Sequence, residues 1–147
     1  MNNVIRKKDI PVDQTAHMLI SVPGFPDGPG GVLVVLEDFL FYKGEKEDKM
    51  VRFPVRSNRP ERKTQFTSHT TYHQKHRFFF LISSELGDIF KVEFILKDGG
   101  KDVSSIKIEY FNTVSCLIDM CLTKNGFLFC ASEKEDHCLY GVASTEE

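Results

Sequence analysis

The sequence predicts an all-β protein, and three observations support this class. No apolar pattern keeps a helical period for two turns anywhere in the 147 residues. Short runs of strand-forming residues alternate with turns that contain Gly, Asn or Asp. The runs, about twelve in all, recur in groups of four about every fifty residues, and a four-stranded repeat of this length is typical of a β-propeller blade.

The first group of strands is predicted within residues 16–55. Its runs are 16–22, 31–37, 39–43 and 49–55. Pro54 restricts the last run to a sheet edge or a strand end, because proline has no amide hydrogen to donate to a neighbouring strand. Residues 2–8 form one further predicted strand, which belongs to none of the three groups.

The second group, within residues 66–111, contains the sequence RFFFLISSELGDIFKVEF at 77–94. Its runs are 66–73, 77–83, 88–96 and 103–111. The run 77–83 does not alternate between apolar and polar residues, which predicts burial on both faces. Gly87 lies in the short turn before the next run, so the two runs are predicted to form a β-hairpin.

The third group begins at residue 115 and has three predicted strands. They are 115–122, 126–132 and 137–143, and the KNG sequence at 124–126 predicts a hairpin turn between the first two. We therefore expect blades at approximately 11–60, 61–112 and 113–147, with residues 2–8 as an orphan outer strand.

Three blades do not close a ring, since propellers typically have four to eight. The sequence thus predicts an arc of about three four-stranded antiparallel blades. The apolar faces and strand edges of such an arc favour self-association of the isolated chain. A β-sandwich or a barrel of similar strand count is the alternative.

The composition restricts the function classes. The net charge of −2 and the pI near 6.2 argue against a general nucleic-acid binder, which usually has a basic excess. The chain has no apolar run of about 18 residues, and its amino-terminal sequence lacks the apolar core of a signal peptide.

Four cysteines are predicted to be free thiols in a reducing compartment, packed like small apolar residues. They are Cys116, Cys121, Cys130 and Cys138. A zinc site formed by these four is the alternative, and the missing close Cys pairs argue against it.

One basic segment is a candidate for partner or RNA contact. The sequence RFPVRSNRPERK at 52–63 contributes the cations Arg52, Arg56, Arg59, Arg62 and Lys63. Guanidinium and ammonium groups bind RNA phosphates or an acidic protein surface. The alternative is a solvated loop between blades that deters aggregation through strand edges.

Other polar residues give weaker signals. His69, His73 and His76 lie close in sequence, but the first two are about 13 Å apart on an extended strand, too far for one metal ion. Asp88 is expected to cap a turn, and Asp119 to face solvent or to accept backbone hydrogen bonds. No phosphate-binding loop, nucleophile motif or paired carboxylates are found, so we expect neither an enzyme nor a cofactor.

Three stretches of the sequence resemble a known family. They are SVPGFPDGPGGVLV at 21–34, RFFFLISSELGDIFKVEF at 77–94 and IEYFNTVSCLIDMCLTKNGFLFCASEKEDHCLY at 108–140. They are similar to the large propeller subunits of the splicing factor 3b complex. That family shares a superfamily with the large subunits of the cleavage and polyadenylation specificity factor and of the damaged-DNA-binding protein.

The resemblance implies a chain of well over a thousand residues with three seven-bladed propellers, of which this segment would be part of the first. It implies a non-catalytic scaffold in the nucleus, within the U2 small nuclear ribonucleoprotein, that supports branch-site recognition in pre-mRNA splicing. The implied partners are the HEAT-repeat subunit, the PHD-finger-like subunit and the smallest subunit of the complex, with RNA contacted mostly indirectly.

The relatives imply two alternative functions. One is an adaptor of a cullin-type ubiquitin ligase, and the other is a polyadenylation-factor subunit that contacts RNA. The chain also departs from the splicing pattern at two loops. Lys134, Glu135 and Asp136 replace an aromatic-Gly-Asn turn, and the loop from Arg52 to Lys63 is shorter and different. Both departures argue against carrying over partner contacts at these loops.

Overall fold

The computed structural model describes residue 11 and residues 14–54, 65–74, 77–97, 102–114, 117–132 and 137–141. These residues form eleven strands and no helix, which confirms the predicted all-β class. Within them, therefore, no helix is long and apolar enough to cross a membrane.

The strands form three antiparallel sheets in which each strand pairs with its neighbour in sequence. The first sheet contains β1 (Met18–Ser21), β2 (Val32–Val35), β3 (Phe39–Lys43) and β4 (Asp48–Arg52). The second contains β5 (Phe66–Gln74), β6 (Arg77–Ser84), β7 (Asp88–Leu96) and β8 (Val103–Thr113). The third contains β9 (Leu117–Leu122), β10 (Phe127–Ser132) and β11 (Cys138–Gly141).

Each of the eleven strands lies at a predicted run, whereas the predicted strand at residues 2–8 lies outside the described residues. β4 is an edge strand and ends at Arg52, two residues before Pro54, as the missing proline amide requires. Three stacked sheets of four, four and three strands are the arrangement of a partial propeller. The blade limits at 11–60, 61–112 and 113–147 stay a prediction.

The second sheet lies between the other two and is buried on both faces. Along β6, Phe78, Phe80 and Ile82 pack in a first core against the first sheet. Phe79 and Leu81 point the opposite way, into a second core against the third sheet. The phenylalanine triplet thus supplies both cores, and each buried Phe contributes about 1.5–3 kcal/mol to folding.

The hairpin between β6 and β7 depends on Gly87. Its φ is 87°, in the left-handed region that L-residues with a side chain rarely adopt. Its carbonyl accepts a hydrogen bond from the amide of Val114 at 2.9 Å, and a Cβ atom at this position would overlap with the backbone of Val114. This glycine therefore lets the hairpin dock against the end of β8.

Hydrogen bonds also join neighbouring sheets. The amide of Phe66 donates to His17 Nε2 (3.2 Å), which links the first and second sheets. The amide of Leu122 donates to the hydroxyl of Thr70 (3.0 Å), which links the third and second sheets. Each outer sheet is thus tied to the middle sheet by a hydrogen bond as well as by apolar packing.

Candidate functional site

Arg52 is the one residue of the predicted basic contact set that the structure describes. It ends β4, is exposed, and pairs in register with Phe39 of β3. Its guanidinium carbon lies 5.9 Å from the centre of the Phe39 ring, within cation–π range. Arg56, Arg59, Arg62 and Lys63 lie outside the described residues, so their role stays a prediction.

Two buried aromatic residues lie close to the limits of the basic segment: Phe53 is its second residue, and Phe66 lies three residues after its end. Phe53 and Phe66 lie in the first core with their ring centres 4.1 Å apart. The amide of Phe53 also donates to the carbonyl of Asp38 at 2.8 Å. The start of the segment is therefore anchored beside the first residue of β5 at the junction of the first two sheets.

The structure separates the histidines that lie close in sequence. His73 Nε2 lies 2.8 Å from Asp27 Oδ2, so it joins the second sheet to the loop between β1 and β2. His69 Nδ1 is buried without a hydrogen-bond partner among the described residues. Burial lowers the pKa of His69, and the negative charge of Asp119 partly opposes this effect. His76 lies outside the described residues.

The structure shows a hydrogen bond for each of the two carboxylates considered from sequence, Asp88 and Asp119. Asp88 is 3% exposed and accepts a hydrogen bond from the Thr113 hydroxyl at 2.7 Å, while its own amide donates to the Ser84 hydroxyl. It thus holds the β6–β7 turn to the end of β8, a wider role than the predicted turn cap. Asp119 is exposed and accepts from the amide of Met120, which agrees with both predicted environments.

Three of the cysteines are free thiols in the described part of the chain. Cys121 is exposed, Cys130 is buried and Cys138 is half-buried. Burial raises the pKa of the Cys130 thiol to about 11, with a further contribution from Cys138, its register partner across β10 and β11. Cys116 lies outside the described residues. Among the residues described, no three His, Cys, Asp or Glu side chains are grouped to hold a metal ion.

The outward faces of the first and third sheets carry several exposed apolar side chains. On the first sheet, Leu19 and Met50 are among the exposed apolar side chains. On the third, Phe129 and Leu139 are 52% and 55% exposed and are register partners across β10 and β11. These two faces are here called the end faces, and on the first sheet the exposed apolar side chains lie beside the Lys43–Asp48 ion pair.

One feature was missed from sequence. A cavity of about 350 Å³ lies between the loop that joins β1 to β2, the turn that joins β3 to β4, and the start of β8. Phe25 at its rim is 76% exposed. Two sequence features could have indicated this cavity: a phenylalanine between Gly24 and Pro26, and the acidic turn sequence GEKED at 44–48.

Comparison with known proteins gives a consistent result along the whole chain. The family described as RSE1/DDB1/CPSF1 first beta-propeller matches residues 1–147. Splicing factor 3B subunit 3 of Drosophila melanogaster is 42% identical over 148 residues, which cover 97% of this chain and 12% of that protein.

Two further relatives agree. Spliceosome-associated protein 130 A of Arabidopsis thaliana is 44% identical over 142 residues, covering 95% of this chain and 12% of that protein. Pre-mRNA-splicing factor rse1 of Emericella nidulans is 38% identical over 150 residues, with the same two shares. The chain therefore spans about 12% of the length of these relatives.

Proposed function

The chain belongs to the RSE1/DDB1/CPSF1 first beta-propeller family, and from this membership we propose that it is a non-catalytic scaffold segment acting in pre-mRNA splicing in the nucleus. In this proposal it forms part of the splicing factor 3b component of the U2 small nuclear ribonucleoprotein and supports branch-site recognition. It does so by presenting loops and sheet faces to partner proteins.

One observation carries the proposal. Relatives named as splicing factors or as a spliceosome-associated protein are 38–44% identical over alignments that cover at least 95% of this chain. The geometry supports a scaffold because the second sheet is packed on both faces, which gives a rigid body from which loops project.

The proposed partners are the HEAT-repeat subunit, the PHD-finger-like subunit and the smallest subunit of the splicing factor 3b complex. Arg52, Arg56, Arg59, Arg62 and Lys63 are proposed to contact a partner or RNA phosphate. The anchoring of Phe53 beside Phe66 supports this, because it holds the start of the basic segment at the junction of the first two sheets.

Affinity capture from nuclear extract of the source organism tests the proposal. The bait is the tagged protein in the longest form that the organism makes, and mass spectrometry identifies what it retains. Recovery of the three splicing factor 3b subunits is expected. Recovery of a cullin without them would instead indicate a ubiquitin-ligase adaptor, and recovery of polyadenylation factors would indicate the RNA-processing relative.

A charge-altered bait tests the basic segment. Replacing its five cations by serine should reduce retention of a partner or of RNA, whereas replacing Lys97, Lys107 and Lys124 by serine serves as the control. An equal loss with both baits would contradict a specific role for the segment. A loss that disappears at high salt would indicate a mainly electrostatic contact.

The end faces support a further part of the proposal, which is self-association of the isolated chain. A sheet face with several exposed apolar side chains gains free energy when a second apolar face covers it. A second copy of the chain offers such a face at each end.

A further inference from the structure

The cavity beside Phe25 is lined by glycines together with aromatic and charged side chains. Its lining includes Gly24, Gly28, Gly30 and Gly44 from two loops of the first sheet, together with Val103 of the second sheet. A volume of about 350 Å³ lies at the lower end of the range for small-ligand pockets. It suits one or two side chains of a peptide rather than a large cofactor.

Hydrogen bonds fix the walls of the cavity. The Tyr42 hydroxyl, on the cavity floor, donates to the carbonyl of Gly30 at 2.8 Å. The amide of Gly44 donates to the carbonyl of Glu47 at 3.0 Å, an approach so close that a Cβ atom on Gly44 would lie 2.7 Å from that oxygen. The amide of Val103 donates to Glu47 Oε1 at 2.8 Å. The cavity is therefore formed before any ligand binds.

The lining carries a net negative charge. Glu45, Glu47 and Asp102 contribute three carboxylates and Lys46 contributes one ammonium group, which leaves two negative charges. Glu47 is occupied by the Val103 amide and by Lys49, whose Nζ lies 3.8 Å away. Within the described residues, the side chains of Glu45 and Asp102 have no hydrogen-bond or ion-pair partner.

An exposed aromatic ring accompanies these carboxylates. Phe25 stands at the rim, whereas Tyr42, which is 1% exposed, closes the floor. Burial raises the pKa of the Tyr42 phenol, and the charges of Glu47 and Glu45 raise it further, which is consistent with a negative potential inside the cavity.

An arginine guanidinium group suits a cavity that has both carboxylates and an aromatic ring better than a lysine ammonium group does. Its planar donors pair with carboxylates in a fixed geometry, and its flat face stacks on aromatic rings. Exposed aromatic residues beside a formed pocket are also typical of the central contacts of protein interfaces. We propose that the cavity between Phe25, Glu45 and Asp102 binds an arginine side chain of a basic peptide from a partner protein.

Fluorescence anisotropy with the full 147-residue chain tests the inference. The probe is a fluorescein-labelled peptide, Gly-Arg-Gly-Arg-Gly, and two peptides with lysine or glutamate in place of arginine serve for comparison. The arginine peptide should bind, the lysine peptide more weakly, and the glutamate peptide not measurably. Equal binding of the arginine and glutamate peptides, or no binding of the arginine peptide, would overturn the proposal.

Variants locate the binding. Glu45→Gln combined with Asp102→Asn should weaken binding about tenfold, the loss expected for one charge-assisted hydrogen bond. Phe25→Ser should weaken it about threefold through the lost cation–π contact. Glu93→Gln with Glu109→Gln removes the same charge from β7 and β8 away from the cavity and should leave affinity unchanged. Equal weakening by this control would show that only overall charge matters, which contradicts the proposal.

The arginine-binding cavity and the proposed splicing function are tested by different experiments, so either can be refuted without the other. Phe25 is exposed, so its replacement tests binding even where the carboxylate variants do not fold. Nuclear capture reports which complex is retained, whereas the peptide experiment reports what this cavity recognises. Retention of splicing subunits without peptide binding would overturn the inference alone.

Discussion

At the scale of single residues, Asp88 shows how a carboxylate becomes structural. It is buried where the turn after β6 meets the end of β8, and its side chain accepts a hydrogen bond from the Thr113 hydroxyl. Sequence alone placed Asp88 at a turn, because it follows Gly87. It did not show the bond to Thr113, since that contact joins residues 25 positions apart.

Replacing Asp88 by alanine should therefore destabilise the chain by about 1–3 kcal/mol, because buried hydrogen-bonding groups lose a partner. Urea denaturation followed by circular dichroism measures the difference. Asp119→Ala is the matched control and should change stability by less than about 0.5 kcal/mol, because Asp119 is exposed. Similar losses in both variants would refute the assigned difference.

The lowered pKa of His69 predicts how the stability of the folded chain depends on pH. Burial lowers its pKa in the folded chain below the ordinary value of 6.5, so the unfolded chain takes up the proton first on acidification. The stabilising contribution of neutral His69 is complete above pH 6.5. It is lost as the pH falls through 6.5 towards the lower folded pKa.

Urea midpoints at pH 7.5 and pH 5.5 measure this dependence. His69→Gln, which carries no titrating proton, should show a smaller fall in midpoint between these values than the unaltered chain. His17→Gln serves as a comparison at another histidine. An identical fall in the unaltered chain and in the His69 variant would exclude the proposed contribution.

At the scale of elements, the β6–β7 hairpin is the part that sequence specified most fully. The unbroken apolar run of β6 predicted burial on both faces, and the structure places Phe79 in one core and Phe80 in the other. The turn at Gly87 was also predicted, because glycine between two strand-like runs permits a positive φ.

Gly87→Ala should destabilise the chain by more than about 1 kcal/mol, because alanine disfavours the positive φ and its Cβ would overlap with Val114. Thermal or urea unfolding measures the loss. Gly24→Ala is the control, since no atom lies within 4 Å of a Cβ atom there. If the Gly87 variant proved as stable as the Gly24 variant, the close approach to Val114 would be wrong.

The sequence predicted the strands but not the contacts that join one sheet to another. Strand positions follow from local apolar periodicity, so all eleven described strands were predicted. The cavity combines loops of the first sheet with Asp102 at the second sheet, and no local pattern reports such a juxtaposition. The same applies to the bond between His17 and Phe66, which joins two sheets over 49 positions.

At the scale of the whole molecule, three stacked sheets leave two end faces exposed. Each exposes several apolar side chains, such as Leu19 and Met50 on the first sheet. The exposed pair Phe129 and Leu139 lies side by side on the third sheet. Self-association follows if these faces cover one another in solution.

The mass of the isolated chain, measured by light scattering, should therefore rise with concentration. Phe129→Thr with Leu139→Thr preserves strand propensity, removes apolar area and should lower the mass at each concentration. Phe25→Thr removes an exposed aromatic residue away from the end faces and should leave the mass unchanged. A monomeric mass at all concentrations would refute self-association.

The burial of β6 on both faces has a consequence for how the chain comes apart. Either outer sheet can detach while the remaining pair keeps one intact core, but loss of the middle sheet removes both. In native-state hydrogen exchange, amides of β6 and β7 should therefore be protected longest, with protection decreasing towards both ends of the stack. The phenylalanine triplet thus makes opening a stepwise process that begins at the periphery.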